Sequence, residues 1–399
     1  MSSQVSPEHS ATTAAPRRHA SGPADPLLSA AEGRLEGMLA DIQRAVEIET
    51  PSSDIEAVGA GAEDLARVVA ERLHAEPEVI VRDCVKHLRV RFGPGPAKVV
   101  LLNHQDTVWP VGTLARKPFS RADGVLRGPG VFDMLTGAVM SIHAVAMLAE
   151  LGEPLEGLSM LITSDEEIGS PSSSELITSE AAAARAVLVM EAAAGSALKV
   201  ARKGIAMYTV VVHGHAAHAG LEPEKGVNAG IALGTLLPRI AALSDEGERT
   251  TVTPTVISAG TTTNTVPARA QVAVDARAVT AEEQRRVDRE IRELTTDVDG
   301  ASVEVRGGIN RPPMERSATW ALFEDAQRVA AELGLEVPAA VEVGGGSDGN
   351  FTAGLGIPTL DGLGAVGDGA HAEHEHALIA EIAPRTALLA GLIRDQLRR

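Results

Sequence analysis

The chain has 399 residues, 44% of them hydrophobic but only 2% aromatic, and carries a formal net charge of −18 with a pI near 5.1. That length suits two or three domains with aliphatic cores, and the acidic balance argues against nucleic acid or an anionic membrane as partner. The single cysteine, Cys84, excludes a disulfide within the chain and fits a reducing, cytoplasmic compartment.

In chain order, residues 1–26 are rich in Ser, Ala and Pro and lack the apolar stretch of a secretory signal, so a disordered tail is expected. No apolar run reads as long enough to span a bilayer. Leu35, Met38, Leu39, Ile42 and Val46 recur at helical spacing within 27–49. "ETPSSD" ends that helix, and a second is predicted over 61–73. "KVVLLNH", "LSMLITS" and "AVLVME" are short continuous apolar runs and read as buried strands, and the Ala-rich stretch 134–151 between the first two reads as a helix. Strands alternating with helices predict an α/β fold, a sheet with helices on both faces. After Arg202 the texture changes: "GIAMYTVVVHG" and "ARAQVAVDARAV" alternate as half-exposed strands do, and two helical segments accompany them. A compact α+β domain is therefore expected over 203–312, inserted between two parts of the first domain, 27–202 and 313–399.

Sites in open α/β sheets form beyond the C-terminal ends of strands. His104 and Asp106 lie just past one predicted strand, Glu166 and Glu167 past a second, and Glu191 at the end of a third. Asp133 follows a glycine-rich loop, as does His371 in "GDGAHAEHEH". An isolated acidic pair such as that in "LITSDEEIGS" is commonly a solvated turn, but so many groups at the strand ends of one sheet point to a shared site. Imidazole and carboxylate both bind zinc, and a bridging carboxylate would let two ions activate water and polarise a carbonyl. Successive residues leaving a strand point in different directions, so Glu167 can coordinate while Glu166 serves as base. Asp106, two residues after His104, could reach the ring nitrogen that the metal does not use.

These segments resemble the dinuclear zinc exopeptidase and amidohydrolase family of glutamate carboxypeptidase, acetylornithine deacetylase, succinyl-diaminopimelate desuccinylase and the aminoacylases, with glutamate carboxypeptidase as the nearest likeness. The matching stretches are "HQDTV", "GPGVFD", "DEEIGS", "GHAAHAG" and "HAEHE". The resemblance implies a zinc-exopeptidase-like mixed sheet with an inserted ferredoxin-like lid and dimerisation domain. It implies that His104 and Glu191 hold one zinc, that Glu167 and His371 hold the other, and that Asp133 bridges, with a cis peptide following it. Cobalt could substitute. Glu166 would be the general base, Asp106 would orient His104, and His218 on the lid would reach the partner subunit's site in a homodimer. Asn264, Arg311 and Arg277 are the implied candidates for gripping a substrate carboxylate.

The expectation is thus hydrolysis of an amide bond in a small peptide or N-acyl amino acid with a free carboxylate. An N-acyl amino acid deacylase or desuccinylase of the same fold is the alternative, and a non-catalytic scaffold or binding relative is a reading from another class. His374 and His376 compete with His371, which is preferred because it directly follows the glycine loop and stands four residues before Glu375. His213 and His215 read as structural or surface residues. One departure stands out: many relatives read D-M-K-G-G or D-D-K-G-G where this chain has "DMLTG", so Leu135 and Thr136 replace Lys and Gly.

Overall fold

A computed structural model describes residues 25–399, so the predicted tail lies almost wholly outside the described residues. The larger unit is built on a mixed six-stranded sheet in the order Glu78–Arg82, Val85–Arg91, Leu158–Thr163, Val99–His104, Ala186–Val189, Thr359–Leu360. The last four run parallel, and the first two pair antiparallel at one edge. The three predicted strands are present and fully buried, as continuous apolar runs covered on both faces should be. Their side chains alternate between two cores. Leu101, Met160 and Leu188 join the helices Leu35–Val46, Thr136–Glu150 and Ile379–Arg398 on one face. Leu102, Leu161 and Val189 pack against Ser174–Ala181 and Phe351 on the other.

The inserted unit has four antiparallel strands in the order Thr251–Ala259, Arg269–Ala278, Gly204–His213, Ser302–Arg311, with helices Ala229–Ala241 and Ala281–Arg292. In chain order it runs strand, helix, strand, strand, helix, strand, which with this strand order is the ferredoxin-like arrangement. Its own core joins Val210, Val212 and Val272 of the sheet to Leu233, Leu236 and Val287 of the helices.

Several local expectations need correction. The second helix starts earlier, at Ile55, because the Asp54 carboxylate accepts from the backbone N–H groups of Glu56 and Ala57 and caps it. The first is two helices, Leu27–Gly33 and Leu35–Val46. The segment Val131–Glu150, with mean hydropathy 1.7, is long and apolar enough to cross a membrane, contrary to the sequence reading. It is 94% buried within the protein, where Thr136–Glu150 forms a core helix.

Candidate dinuclear metal site

The three parallel strands place their C-terminal ends side by side, with Val99–His104 between the other two. His104 is therefore central, with Glu166 and Glu167 on one side and Glu191 on the other. Asp133 arrives from the turn Val131–Leu135, whose Asp133–Met134 peptide is cis. His371 comes from the glycine loop near the C-terminus. Gly369 there has φ +83°, and a Cβ on it would lie 2.8 Å from the Glu375 backbone nitrogen, so only glycine fits.

Two ligand groups result, His104–Asp133–Glu191 and Asp133–Glu167–His371, and they share Asp133. His104 Nε2 lies 3.4 Å from Asp133 Oδ1 and 3.5 Å from Glu191 Oε1. His371 Nε2 lies 3.4 Å from Asp133 Oδ2 and 3.0 Å from Glu167 Oε1. The two oxygens of Asp133 thus face different histidines, as a bridge requires. Donors about 2.0–2.1 Å from a tetrahedral zinc stand about 3.3–3.4 Å apart, which matches two of these four spacings and lies about 0.1 Å from a third. His104 Nε2 and Asp133 Oδ1 are also buried without a hydrogen-bond partner. Such orphaned buried polar atoms call for a ligand, and an imidazole and carboxylate set fits a zinc pair.

Charges in the cluster are tightly linked. Burial opposes a charged His104, yet Asp106, Asp133 and Glu191 raise its pKa well above the usual histidine value. Hydrogen bonds to Asp133 and Glu167 push His371 up to about 10. Burial also opposes ionisation of Asp133, but the two imidazoles hold it well below the usual carboxylate range. Burial drives Glu166 well above that range, against the pull of Arg311, and raises Glu167 as well.

Asp106 holds His104 through its backbone: the carbonyl oxygen is 3.0 Å from Nδ1, whereas the nearer carboxylate oxygen is 3.5 Å away. Its carboxylate accepts from Ser52 Oγ (2.6 Å) and from the N–H groups of Glu166 and Glu167, so it also fixes the acidic turn. Asp165, the remaining acid of "DEE", accepts from the backbone and hydroxyls of Ser172 and Ser173 and pins the far side of the same loop.

Arg311 is not an open carboxylate grip. It is 5% exposed, and its Nη2 donates to Glu166 Oε1 at 2.8 Å and to Asp348 Oδ1 at 3.1 Å. Arg277 pairs with Asp275 on the lid sheet. His218 and Asn264 are exposed neighbours on the lid, where Ala219 N–H donates to the Asn264 carbonyl and His218 Nδ1 accepts from Gly220 and Leu221. Among the described residues, no hydrogen bond joins His218, Asn264 or Arg277 to the cluster. His213 Nε2 lies 2.8 Å from Glu304 Oε2, and the His374 carbonyl lies 3.0 Å from His376 Nδ1. Leu135 and Thr136 are buried, and Thr136 Oγ1 donates to the Val131 carbonyl, so this departure stabilises the turn beneath Asp133.

Sequence reasoning used Glu375 only as a marker for His371 and gave it no role of its own; it is fully buried. It accepts from Trp109 Nε1 (2.7 Å) and from the N–H groups of Gly130, Phe132 and Asp133, and so binds the His371 loop to the Asp133 turn. The HAEHE spacing carried that signal. Arg202 was also missed: it donates to Glu191 Oε2 at 3.1 Å.

A mixed α/β layer fold, a carboxylate shared between two ligand groups and a base candidate beside them define a metallohydrolase. Residues 100–395 match the model of Peptidase family M20/M25/M40, and the chain belongs to that family. It is accordingly a metallopeptidase or amidohydrolase. It is 29% identical to carboxypeptidase G2 of Pseudomonas sp. (strain RS-16) over 382 residues, covering 92% of this chain and 91% of the relative. It is also 29% identical to the succinyl-diaminopimelate desuccinylase of Maricaulis maris (strain MCS10) over 362 residues, covering 84% and 91%. In fold it is similar to an M20 family metallo-carboxypeptidase from Sulfolobus solfataricus, with a TM-score of 0.70 at 15% identity over 91% of this chain and 99% of the other.

Proposed function

We propose that the protein is a homodimeric, two-zinc carboxypeptidase-like hydrolase that cleaves the amide bond of a small peptide or N-acyl amino acid with a free α-carboxylate, C-terminal glutamate being the first choice. The observation that carries this reading is the pair of ligand groups joined by the two oxygens of Asp133. His104 and Glu191 would hold one ion, Glu167 and His371 the other, and Asp133 both; cobalt could replace zinc. When bound, the ions supply Lewis acidity towards the scissile carbonyl and make water easier to deprotonate.

Glu166 does the proton work. Beside the ligand groups but outside both, it takes a proton from the attacking water and delivers it to the leaving amine. The burial that raises its pKa suits a group that must hold that proton between the two steps. Asp106 keeps Glu166 and Glu167 in place through their backbone N–H groups.

His218 and Asn264 would serve the partner's site, His218 stabilising the oxyanion and Asn264 the substrate carboxylate. Their exposure side by side on the lid supports this. Arg277, committed to Asp275, has no part in the proposal. Dimerisation through the lid is supported by its edge strand Thr251–Ala259, where Val256 and Ile257 are 70% and 53% exposed, and by the helix Ala229–Ala241 packed on that strand, where Ile231 is 63% exposed. The lone, exposed Cys84 supports a reducing, cytoplasmic setting.

Metal analysis of the purified protein and a panel of N-acyl amino acids test the reading. Two zinc ions per subunit and preferred turnover of N-acyl glutamates are expected. Preference for N-succinyl diamino acids would favour a desuccinylase, a reading supported by the similarity to that enzyme. No turnover by a fully loaded protein would refute both.

A further inference from the structure

The chain crosses between the catalytic layers and the lid twice, at residues 202–204 and 311–314. The two crossings lie side by side. Arg202 and Met314 exchange backbone hydrogen bonds, N–H to carbonyl in both directions, at 3.0 and 3.1 Å. The Asn350 amide donates to the carbonyls of both Lys203 and Pro312. Gly204 packs so closely on Pro313 that a Cβ there would meet its ring at 2.7 Å. The hinge is therefore one bonded unit.

Each crossing delivers one buried arginine to the site. Arg202 is 4% exposed and has all five N–H groups engaged: Asp361 at 2.9 and 2.8 Å, Glu191 Oε2 at 3.1 Å, and the Gly345 and Gly346 carbonyls at 3.2 and 3.0 Å. Lys199 Nζ stands 3.8 Å from the same Glu191 oxygen. Two cations on Oε2 leave Oε1 turned to His104. Arg311 differs. Only its Nη2 is well bonded, to the Glu166 carbonyl at 3.0 Å, Glu166 Oε1 at 2.8 Å, Ser170 Oγ at 2.9 Å and Asp348 Oδ1 at 3.1 Å. Its Nε is buried without a partner, and its guanidinium lies over the Phe351 ring. The glycine turn wedged between the crossings meets both arginines, since Gly345 and Gly346 accept from Arg202 and the Cβ position of Gly346 is 3.4 Å from Arg311 Cδ.

We propose that Arg202 and Arg311 are positioning residues with separate duties: Arg202 orients the candidate ligand Glu191, and Arg311 orients the candidate base Glu166, so that the lid hinge holds both halves of the machinery. The inference rests on the two-metal reading above. Arg202 has no donor left over. Arg311 has spare donors, so its grip on Glu166 depends on where the hinge places it. A lysine carries one compact charge without the planar fork, so it cannot reach the acceptors that Arg202 meets with three nitrogens, and its shorter side chain does not place its charge where Arg311 Nη2 stands.

The test is zinc titration against a competing chelator, with steady-state kinetics on the substrate found in the panel. For Arg202→Lys, the affinity of one of the two ions should fall about 10–100-fold, the range typical of groups that orient metal ligands, and excess zinc should restore kcat. For Arg311→Lys, both ions should bind as in the wild type, while kcat falls by at least about tenfold and KM stays within about twofold, because a displaced base slows only the chemical step. Two results overturn the proposal: wild-type affinity for both ions in Arg202→Lys, or a raised KM with unchanged kcat in Arg311→Lys, which would make Arg311 a substrate grip. If Arg202→Lys fails to fold, Asp361→Asn decides. It frees Arg202 from its main anchor and should also weaken one ion, and unchanged affinity there counts against the proposal. A wild type that binds fewer than two ions refutes the two-metal reading itself, a result independent of any variant.

Discussion

Replacing Glu166 by glutamine separates proton transfer from every other duty of that side chain. Glutamine has nearly the same volume, and its carbonyl oxygen can still accept from Arg311 Nη2, which now donates to Glu166 Oε1 at 2.8 Å. The backbone contacts to Asp106 are unaffected, and Glu166 belongs to neither ligand group. What disappears is a group able to take a proton from water and return it to the amine. General bases contribute about 10²–10⁴-fold, so the barrier should rise by about 2.7–5.4 kcal/mol at about 1.36 kcal/mol per decade. Folding should not suffer: burial and the neighbouring Asp348 and Glu191 charges disfavour an ionised Glu166, and a neutral amide relieves that repulsion. The assay is kcat on the best N-acyl amino acid at matched zinc content, together with Tm. A kcat within about threefold of wild type, with two ions bound, would refute the assignment of Glu166 as base.

Three further outcomes are expected. Glu375→Ala strands the N–H groups of Gly130, Phe132 and Asp133 and the Trp109 indole. Each unpaired buried donor costs up to about 1–3 kcal/mol, so Tm should fall by several degrees and zinc affinity should drop at both sites; unchanged zinc titration would count against its role in fixing Asp133. In the metal-free protein, His371 rises from an ordinary value of about 6.5 to about 10 when folded. A raised histidine stabilises fully below the unfolded pKa and loses that contribution as pH climbs through the folded one. Tm of the chelated protein should therefore decline between pH 6.5 and 10 relative to His371→Ala, modestly because the ring is 49% exposed. Zinc uptake should release protons and strengthen with pH over that window, as calorimetry in buffers of differing ionisation enthalpy would register. Finally, Val256→Lys with Ile257→Lys should give monomers in sedimentation velocity with little change in Tm, since both side chains already face solvent; a persistent dimer would place the interface elsewhere.

The parts of this molecule legible in its sequence are those where local pattern and chemistry coincide. Val99–His104 is an apolar run that ends in His, and Leu158–Thr163 and Ala186–Val189 are apolar runs that lead within three residues to Glu166 and Glu191, so neighbouring buried strands converge on metal-binding chemistry. The strands that escaped notice lack such a pattern. Glu78–Arg82 and Val85–Arg91 form an edge hairpin studded with charged residues, Thr251–Ala259 carries Pro254 and a register shift, and Ser302–Arg311 contains two glycines. An edge position tolerates proline and charge because one row of its backbone groups needs no partner, so composition there says little about pairing. The supporting polar network was hidden for a different reason. Arg202 meets Asp361 across 159 residues, Arg311 meets Glu166 across 145, and Glu375 meets Trp109 across 266. Nothing in an arginine's own neighbourhood says whether its fork faces solvent, substrate or a buried carboxylate; only the fold's closure of the hinge on the sheet decides that. For Arg311 the distinction is functional: a guanidinium already bonded to the base cannot also be a free carboxylate grip without releasing it. Loss of a substrate grip at Arg311 would raise KM and leave kcat unchanged, whereas loss of base positioning lowers kcat and leaves KM nearly unchanged, so the two roles part in the kinetics of a single variant.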